Sequence, residues 1–138
     1  MLSAVVAVGC SRDCELSAGL RELAGDGATD CGHGVLGSDV SSVDACVVAS
    51  FEKHWALVVQ YDRQGIDSKV VLGIAGDVNG RVTFLLWDSD PSGGSGADAV
   101  ISGDRCVNPS VDSSSSRDPS LAPPLSCTST ISLGRTCE

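Results

Sequence analysis

Residues 68–87 read Ser-Lys-Val-Val-Leu-Gly-Ile-Ala-Gly-Asp-Val-Asn-Gly-Arg-Val-Thr-Phe-Leu-Leu-Trp. Asn79-Gly80 is the strongest local signal in the chain. The pair suits a type I′ hairpin turn, in which both central residues need positive φ. It separates two β-prone runs, Ser68 to Ala75 and Arg81 to Trp87. Gly73, inside the first run, marks a candidate bulge. Just upstream, Trp55 to Tyr61 (Trp-Ala-Leu-Val-Val-Gln-Tyr) reads as another strand, and Asp62-Arg63-Gln64-Gly65 opens a turn. Three consecutive strands joined by short connections predict an antiparallel meander.

Residues 38–54 predict the main helix. Ser38 can cap its N-terminus, with Asp39 placed to favour the helix dipole. Val40, Val43, Val47 and Phe51 recur at helical spacing, with Val48 beside them. Helix followed by meander gives an α+β expectation: one main helix packed on an antiparallel β-meander of three to five strands. Ala28-Thr29-Asp30-Cys31 does not read as a strand. Earlier still, Leu16, Leu20 and Leu23 permit a short amphipathic helix, ended by Gly25 and Gly27, and the same stretch reads equally as a tether.

The texture changes after Asp88. Pro91 to Gly96 is loop, Ala99-Val100-Ile101 a short strand, and Thr128 to Leu133 a final strand closed by Cys137. Residues 108–126 hold Ser113 to Ser116 and four prolines, too little apolar surface to oppose chain entropy alone. Cys106 and Cys127 bracket that segment, and a disulfide at each end can hold it where a core cannot. The expected organisation is a signal-like segment at 1–9, a tether or short helix at 10–30, and one disulfide-stapled domain with long C-terminal loops at 31–138.

The 138 residues carry nine basic and eighteen acidic side chains, a formal charge of −9. Such a surface does not seek phosphate, so nucleic acid is not an expected partner. No apolar run approaches the ~20 residues that span a bilayer as a helix.

The chain starts Met-Leu-Ser-Ala-Val-Val-Ala-Val-Gly-Cys, with Leu2 to Val8 apolar. Ala7-Val8-Gly9-Cys10 resembles the lipobox of bacterial lipoproteins. The resemblance covers ten residues. It implies cleavage before Cys10, lipidation of Cys10 and attachment to a membrane in the cell envelope, at the periplasm or cell surface. The residues alone also allow a short buried strand with Cys10 as a core thiol. Setting Cys10 aside leaves Cys14, Cys31, Cys46, Cys106, Cys127 and Cys137, enough for three disulfides in an oxidising compartment. Cys31 is expected to pair with Cys46, because only a short turn separates it from the helix bearing Cys46. The other four then pair among themselves in an order the spacing leaves open.

Candidate chemistry is sparse. Asp88-Ser89-Asp90-Pro91-Ser92-Gly93 matches the opening of a calcium loop, with Asp88, Asp90 and Ser92 as oxygen ligands and Asp98 and Asp104 as groups that could complete an irregular site. Calcium is the one cofactor candidate. Position twelve, however, is Ala99 where a bidentate glutamate is required. Cys31, His33, Cys46 and His54 could supply a zinc set, but their spacing fits no familiar pattern. Gly32-His33-Gly34-Val35-Leu36-Gly37 spells G-x-G-x-x-G, yet lacks a preceding strand and βαβ context, so no nucleotide is expected. Asp62 with Asp67, or Asp88 with Asp90, could form the carboxylate pair of a small secreted hydrolase. His54 has a simpler explanation in the dipole at the helix end. The leading expectation is an extracytoplasmic, lipid-anchored binding or structural surface module without catalysis, open to a protein partner. A calcium-dependent module and a carboxylate hydrolase are the alternatives.

Overall fold

The computed structural model describes residues 15–65, 68–90, 99–112 and 123–137. In chain order its elements are helix α1 (Leu16–Ala24), strand β1 (Thr29–Gly34), helix α2 (Ser41–Glu52), and strands β2 (Leu57–Arg63), β3 (Val70–Gly76), β4 (Val82–Asp88), β5 (Val100–Val107), β6 (Ser110–Val111), β7 (Leu125–Ser126) and β8 (Ser129–Cys137). Six strands form a mixed sheet in the order β1-β2-β3-β4-β5-β8, and β6 pairs with β7 in a second, two-stranded sheet.

The expected meander is the centre of this sheet. β2, β3 and β4 pair antiparallel in unbroken register, Val59 opposite Ile74 and Ile74 opposite Phe84. Gly73 is therefore not a bulge. A Cβ there would lie 2.8 and 2.9 Å from the Leu20 methyls and 3.0 Å from Leu16. Glycine at this position lets α1 approach the backbone of the sheet. The hairpin turn also differs from expectation. Among its residues only Gly80 has positive φ, at +79°. Gly80 N–H donates to the Asp77 carbonyl, and Asp77 N–H donates to the Arg81 carbonyl. The result is a three-residue loop ending in a left-handed glycine, not a two-residue type I′ turn. The Asp77 carboxylate accepts from the N–H groups of Asn79 and Arg81 and so favours the wider loop.

Side chains alternate between the two faces of the sheet. Leu57, Val59, Tyr61, Leu72, Ile74 and Val82 form a core with Val47 of α2, against which Val43 and Phe51 also pack. Val58, Val71, Ala75, Leu85 and Ile101 form a second core with Leu16, Leu20 and Ala24 of α1. Helices on both faces explain why β3 is apolar throughout: neither side of it meets water.

The architecture is thus mostly β, a mixed sheet with a helix on each face rather than one main helix on an antiparallel meander. β1 runs parallel to β2, with α2 as the crossover between them. Thr-Asp-Cys-Gly-His-Gly carries no alternation of β-prone residues, and its strand is held by pairing to β2 and by the Cys31–Cys46 disulfide. Residues 16–24, where the sequence allows helix and tether equally, are helical. Leu16, Leu20 and Ala24 are the buried stripe of this helix, whereas Leu23 is 41% exposed. The main helix starts three residues later than expected. Ser38 does not cap it: its hydroxyl donates to the Val35 carbonyl. Asp39 accepts from the Ser41 N–H instead, and the hydroxyl and N–H of Ser41 hold the Asp39 carboxyl below its ordinary value.

β5 spans eight residues, longer than the strand expected at Ala99–Ile101, and β8 continues to Cys137. Cys106 and Cys127 are bonded to each other rather than to separate partners, so one disulfide closes the segment between them. Leu125 of β7, with Val111 and Cys127, packs on the α2 side of the sheet. The expectations for residues 1–14, for the Pro91–Gly96 loop and for Ser113–Ser116 lie outside the described residues.

Candidate functional site

β2 reads Leu-Val-Val-Gln-Tyr-Asp-Arg. Its odd-numbered residues Leu57, Val59 and Tyr61 are buried under α2. On the α1 side Val58 is buried, but Gln60 and Asp62 follow it. Two polar residues in succession on one face mark where helix α1 stops covering the sheet. α1 reaches only as far as Leu16, which packs near Gly73 and Val71. Beyond it lies an open cleft of about 290 Å³.

The register assembles this cleft from four neighbouring strands. His33 of β1 lies opposite Gln60, Asp62 opposite Val71, and Val71 opposite Trp87. Leu16, Val71 and Trp87 supply an apolar wall. Gln60, His33 and Lys69 add polar groups from the sheet, and Glu15 and Ser17 add them from the start of α1. The Glu15 side chain makes no capping hydrogen bond to the helix. Lys69 is fixed by its backbone: its N–H donates to the Ser89 hydroxyl, and its carbonyl accepts from the Ser89 N–H.

His33 Nε2 lies 2.6 Å from Asp62 Oδ1. With Nε2 donating to the carboxylate, Nδ1 is the nitrogen left to face other partners in the neutral ring. The N–H of Leu36 reaches the second Asp62 oxygen at 3.4 Å. Burial pushes the Asp62 carboxyl up, but the hydrogen bonds from His33 and Leu36, with the charges of His33 and Lys69, outweigh it and leave the group below its ordinary value. Asp62 therefore stays ionised and holds the imidazole in one orientation. Chemically, the arrangement offers a fixed imidazole, a carboxamide, an ammonium and a carboxylate around an indole face. Nothing local in the sequence joins His33 to Asp62, 29 residues away. The polar pair Gln60 and Asp62 in an otherwise apolar strand is the signal that could have pointed here.

The sequence-derived candidates fall elsewhere. Asp88 ends β4, and its carboxylate accepts the Asp90 N–H at 3.0 Å. Ser92 and Asp98 lie outside the described residues. Asp104 lies opposite Phe84, four residues along the strand from Asp88, a separation of about 13 Å at ~3.3 Å per residue. It does not join Asp88. Among the described residues no group of three His, Cys, Asp or Glu side chains is placed to hold a metal ion. The zinc set is not assembled: Cys31 and Cys46 are bonded at 2.06 Å, and His33 is engaged with Asp62. His54, with φ +56°, lies beyond the end of α2 beside Gly80.

Asp62 has a histidine partner, and its expected carboxylate partner Asp67 lies outside the described residues, as do Cys10 and Cys14. Cys137 ends β8. The first half of the G-x-G-x-x-G run lies within β1, where no strand was expected, and the run precedes α2. Two of its N–H groups are taken up by side chains, Gly32 by Asp30 and Leu36 by Asp62. A Cβ at Gly34 would fall 2.7 Å from the Tyr61 ring, so this glycine serves packing between β1 and β2.

The Cys31–Cys46 pairing is as expected, and Cys106–Cys127 resolves two of the four cysteines whose order was open. Both bridges are consistent with an extracytoplasmic protein. No helix among the described residues is long and apolar enough to cross a membrane. No protein-family model, curated protein or solved structure matches the chain.

Proposed function

We propose that this protein is an extracytoplasmic binding module, attached to a membrane through lipidated Cys10, that holds a ligand in the cleft beyond α1 without transforming it. The cleft carries the reading. It is an opening lined from four strands and a helix start, with an apolar wall and convergent polar groups, which is the common form of a ligand site. The two disulfides support an oxidising location. The formal charge of −9 is unsuited to nucleic acid or nucleotide phosphates. Glu15 follows Cys10 by five positions, a span of at most about 18 Å when extended. A lipidated Cys10 thus keeps the cleft close to the bilayer surface, and a ligand met there is one present in the envelope.

The test is mass spectrometry of the full-length protein extracted from membranes. The expected mature chain starts at Cys10 and carries diacylglycerol with an amide-linked acyl chain. Cys10→Ala moves the protein to the soluble fraction. An unmodified Cys10 thiol in membrane-extracted material removes the anchor from the proposal.

A further inference from the structure

The lining of the cleft also constrains the chemistry of its ligand, a deduction that rests on the cleft being the binding site. Lys69 brings a positive charge and Glu15 a negative one, from different elements. His33 and Asp62 satisfy each other across 2.6 Å. Asp62 does not itself line the cleft, so the lining carries one charge of each sign. A simple anion pairs only with Lys69, and a simple cation only with Glu15. A ligand that carries both charges pairs with both. The wall of Leu16, Val71 and Trp87 then calls for an apolar body beside the charged groups. A volume of about 290 Å³ is at the small end for ligand sites.

We propose that the cleft takes a small zwitterion of the amino-acid class with an apolar side chain. Its carboxylate pairs with Lys69, its ammonium with Glu15, and its side chain lies against Trp87 and Val71. Gln60 supplies a neutral donor and acceptor between the two charged ends. Lys69 is well placed for this: two residues before Val71, it lines the same side of the sheet.

The experiment uses the full chain with Trp55→Phe, so that Trp87 is the remaining tryptophan and its emission reports on the cleft. Trp55 is 54% exposed, and its replacement spares the core. The probes are L-phenylalanine, 3-phenylpropanoate, which lacks the ammonium, and 2-phenylethylamine, which lacks the carboxylate. The expected result is a saturable change in Trp87 emission with L-phenylalanine, and binding at least about tenfold weaker for each analogue, the scale of one lost charged contact. Lys69→Met weakens L-phenylalanine by a similar factor and leaves 2-phenylethylamine unchanged. Glu15→Gln leaves 3-phenylpropanoate unchanged. Both residues are exposed, and unaltered circular dichroism verifies that the variants fold. Equal binding of all three probes overturns the zwitterion proposal while leaving a ligand-binding cleft. No response to any probe at millimolar concentration also overturns it, and the Cys10 mass measurement then judges the membrane-anchored reading independently.

Discussion

The two helices lie on opposite faces of one sheet and are held by different means. α1 is nine residues long and buries Leu16, Leu20 and Ala24, with Leu20 seated over Gly73. Its attachment to the sheet is side-chain packing at close range. α2 is longer, yet only Val47 and Ser50 are buried within its span. It is tied by the Cys31–Cys46 disulfide to β1 and by a 2.6 Å hydrogen bond from the Tyr61 hydroxyl to the Asp44 carboxylate. A helix with a deep apolar stripe needs no further fastening, whereas one with a shallow stripe gains a covalent bridge and a partly buried polar contact. The functional consequence lies on the α1 side. Because α1 is short and stops at Leu16, the polar end of the sheet beyond it is left open as the cleft.

The sharpest way to break this contrast is to attack the α1 seat. Leu20→Ala is expected to destabilise by about 2–5 kcal/mol, the range for a buried leucine. Gly73→Val, which forces methyls into the same contact, is expected to cost about 1–3 kcal/mol or more. Chemical denaturation measures both. A loss below about 1 kcal/mol for Leu20→Ala would mean that packing does not anchor α1.

Next comes the bridge under α2. The double replacement Cys31→Ser and Cys46→Ser opens a loop of sequence separation 15, for which about 3 kcal/mol is expected. Hydrogen exchange should rise first in β1 and α2 and leave α1 protected. Uniform exchange across both helices would show that the bridge serves the whole fold. The companion pair Cys106→Ser and Cys127→Ser, at separation 21, tests the same idea at the other bridge. Its expected loss is similar, about 3 kcal/mol, but the exchange should be confined to β6, β7 and their neighbours.

A smaller effect is expected from Tyr61→Phe. It removes the hydrogen bond to Asp44 and costs about 1 kcal/mol at neutral pH. Burial pushes the Tyr61 hydroxyl well above its ordinary value. Folding then favours the neutral phenol, and that contribution is present at neutral pH and lost as pH rises past about 10, where unfolded tyrosine ionises. The stability gap between wild type and Tyr61→Phe should close in that alkaline range. A gap that persists unchanged there would exclude the linkage.

The smallest effect is expected at the cleft, from Asp62→Asn. The Asp62 carboxyl is held below its ordinary value in the folded state, so its contribution is fully present above about pH 4 and lost as pH falls through the lowered folded value. Acid titration of wild type against Asp62→Asn should show a modest wild-type advantage at about pH 5 to 6, shrinking under more acidic conditions. An advantage that grows on acidification contradicts the sign.

Much of the central sheet is legible in the sequence because its signals are local. The runs around 55–61, 68–75 and 81–87 mark strands through their own β-prone residues, and the stripe of Val43, Val47 and Phe51 marks α2. The Cys31–Cys46 pair follows from a short separation and a turn. β1 is not legible, since Thr29–Gly34 owes its extended form to a neighbouring strand and a disulfide rather than to its own side chains. The turn at Asp77–Arg81 departs from the Asn79-Gly80 signal because the Asp77 carboxylate selects the wider loop. The cleft is hidden for a related reason: His33, Gln60, Lys69 and Trp87 come from four separate strands or strand approaches, and nothing in their spacing joins them.

The residue order alone thus specified a disulfide-containing chain with a central meander and a valine-rich helix, because β-propensity, helical periodicity and cysteine spacing act over a few residues. Which face each helix covers, that β1 lies parallel beside β2, that Gly73 is the seat of Leu20, and that His33 meets Asp62 were settled only when the strands came into register. Lateral pairing brings together positions tens of residues apart, and the gap left by a short helix exists only once the sheet beneath it has formed.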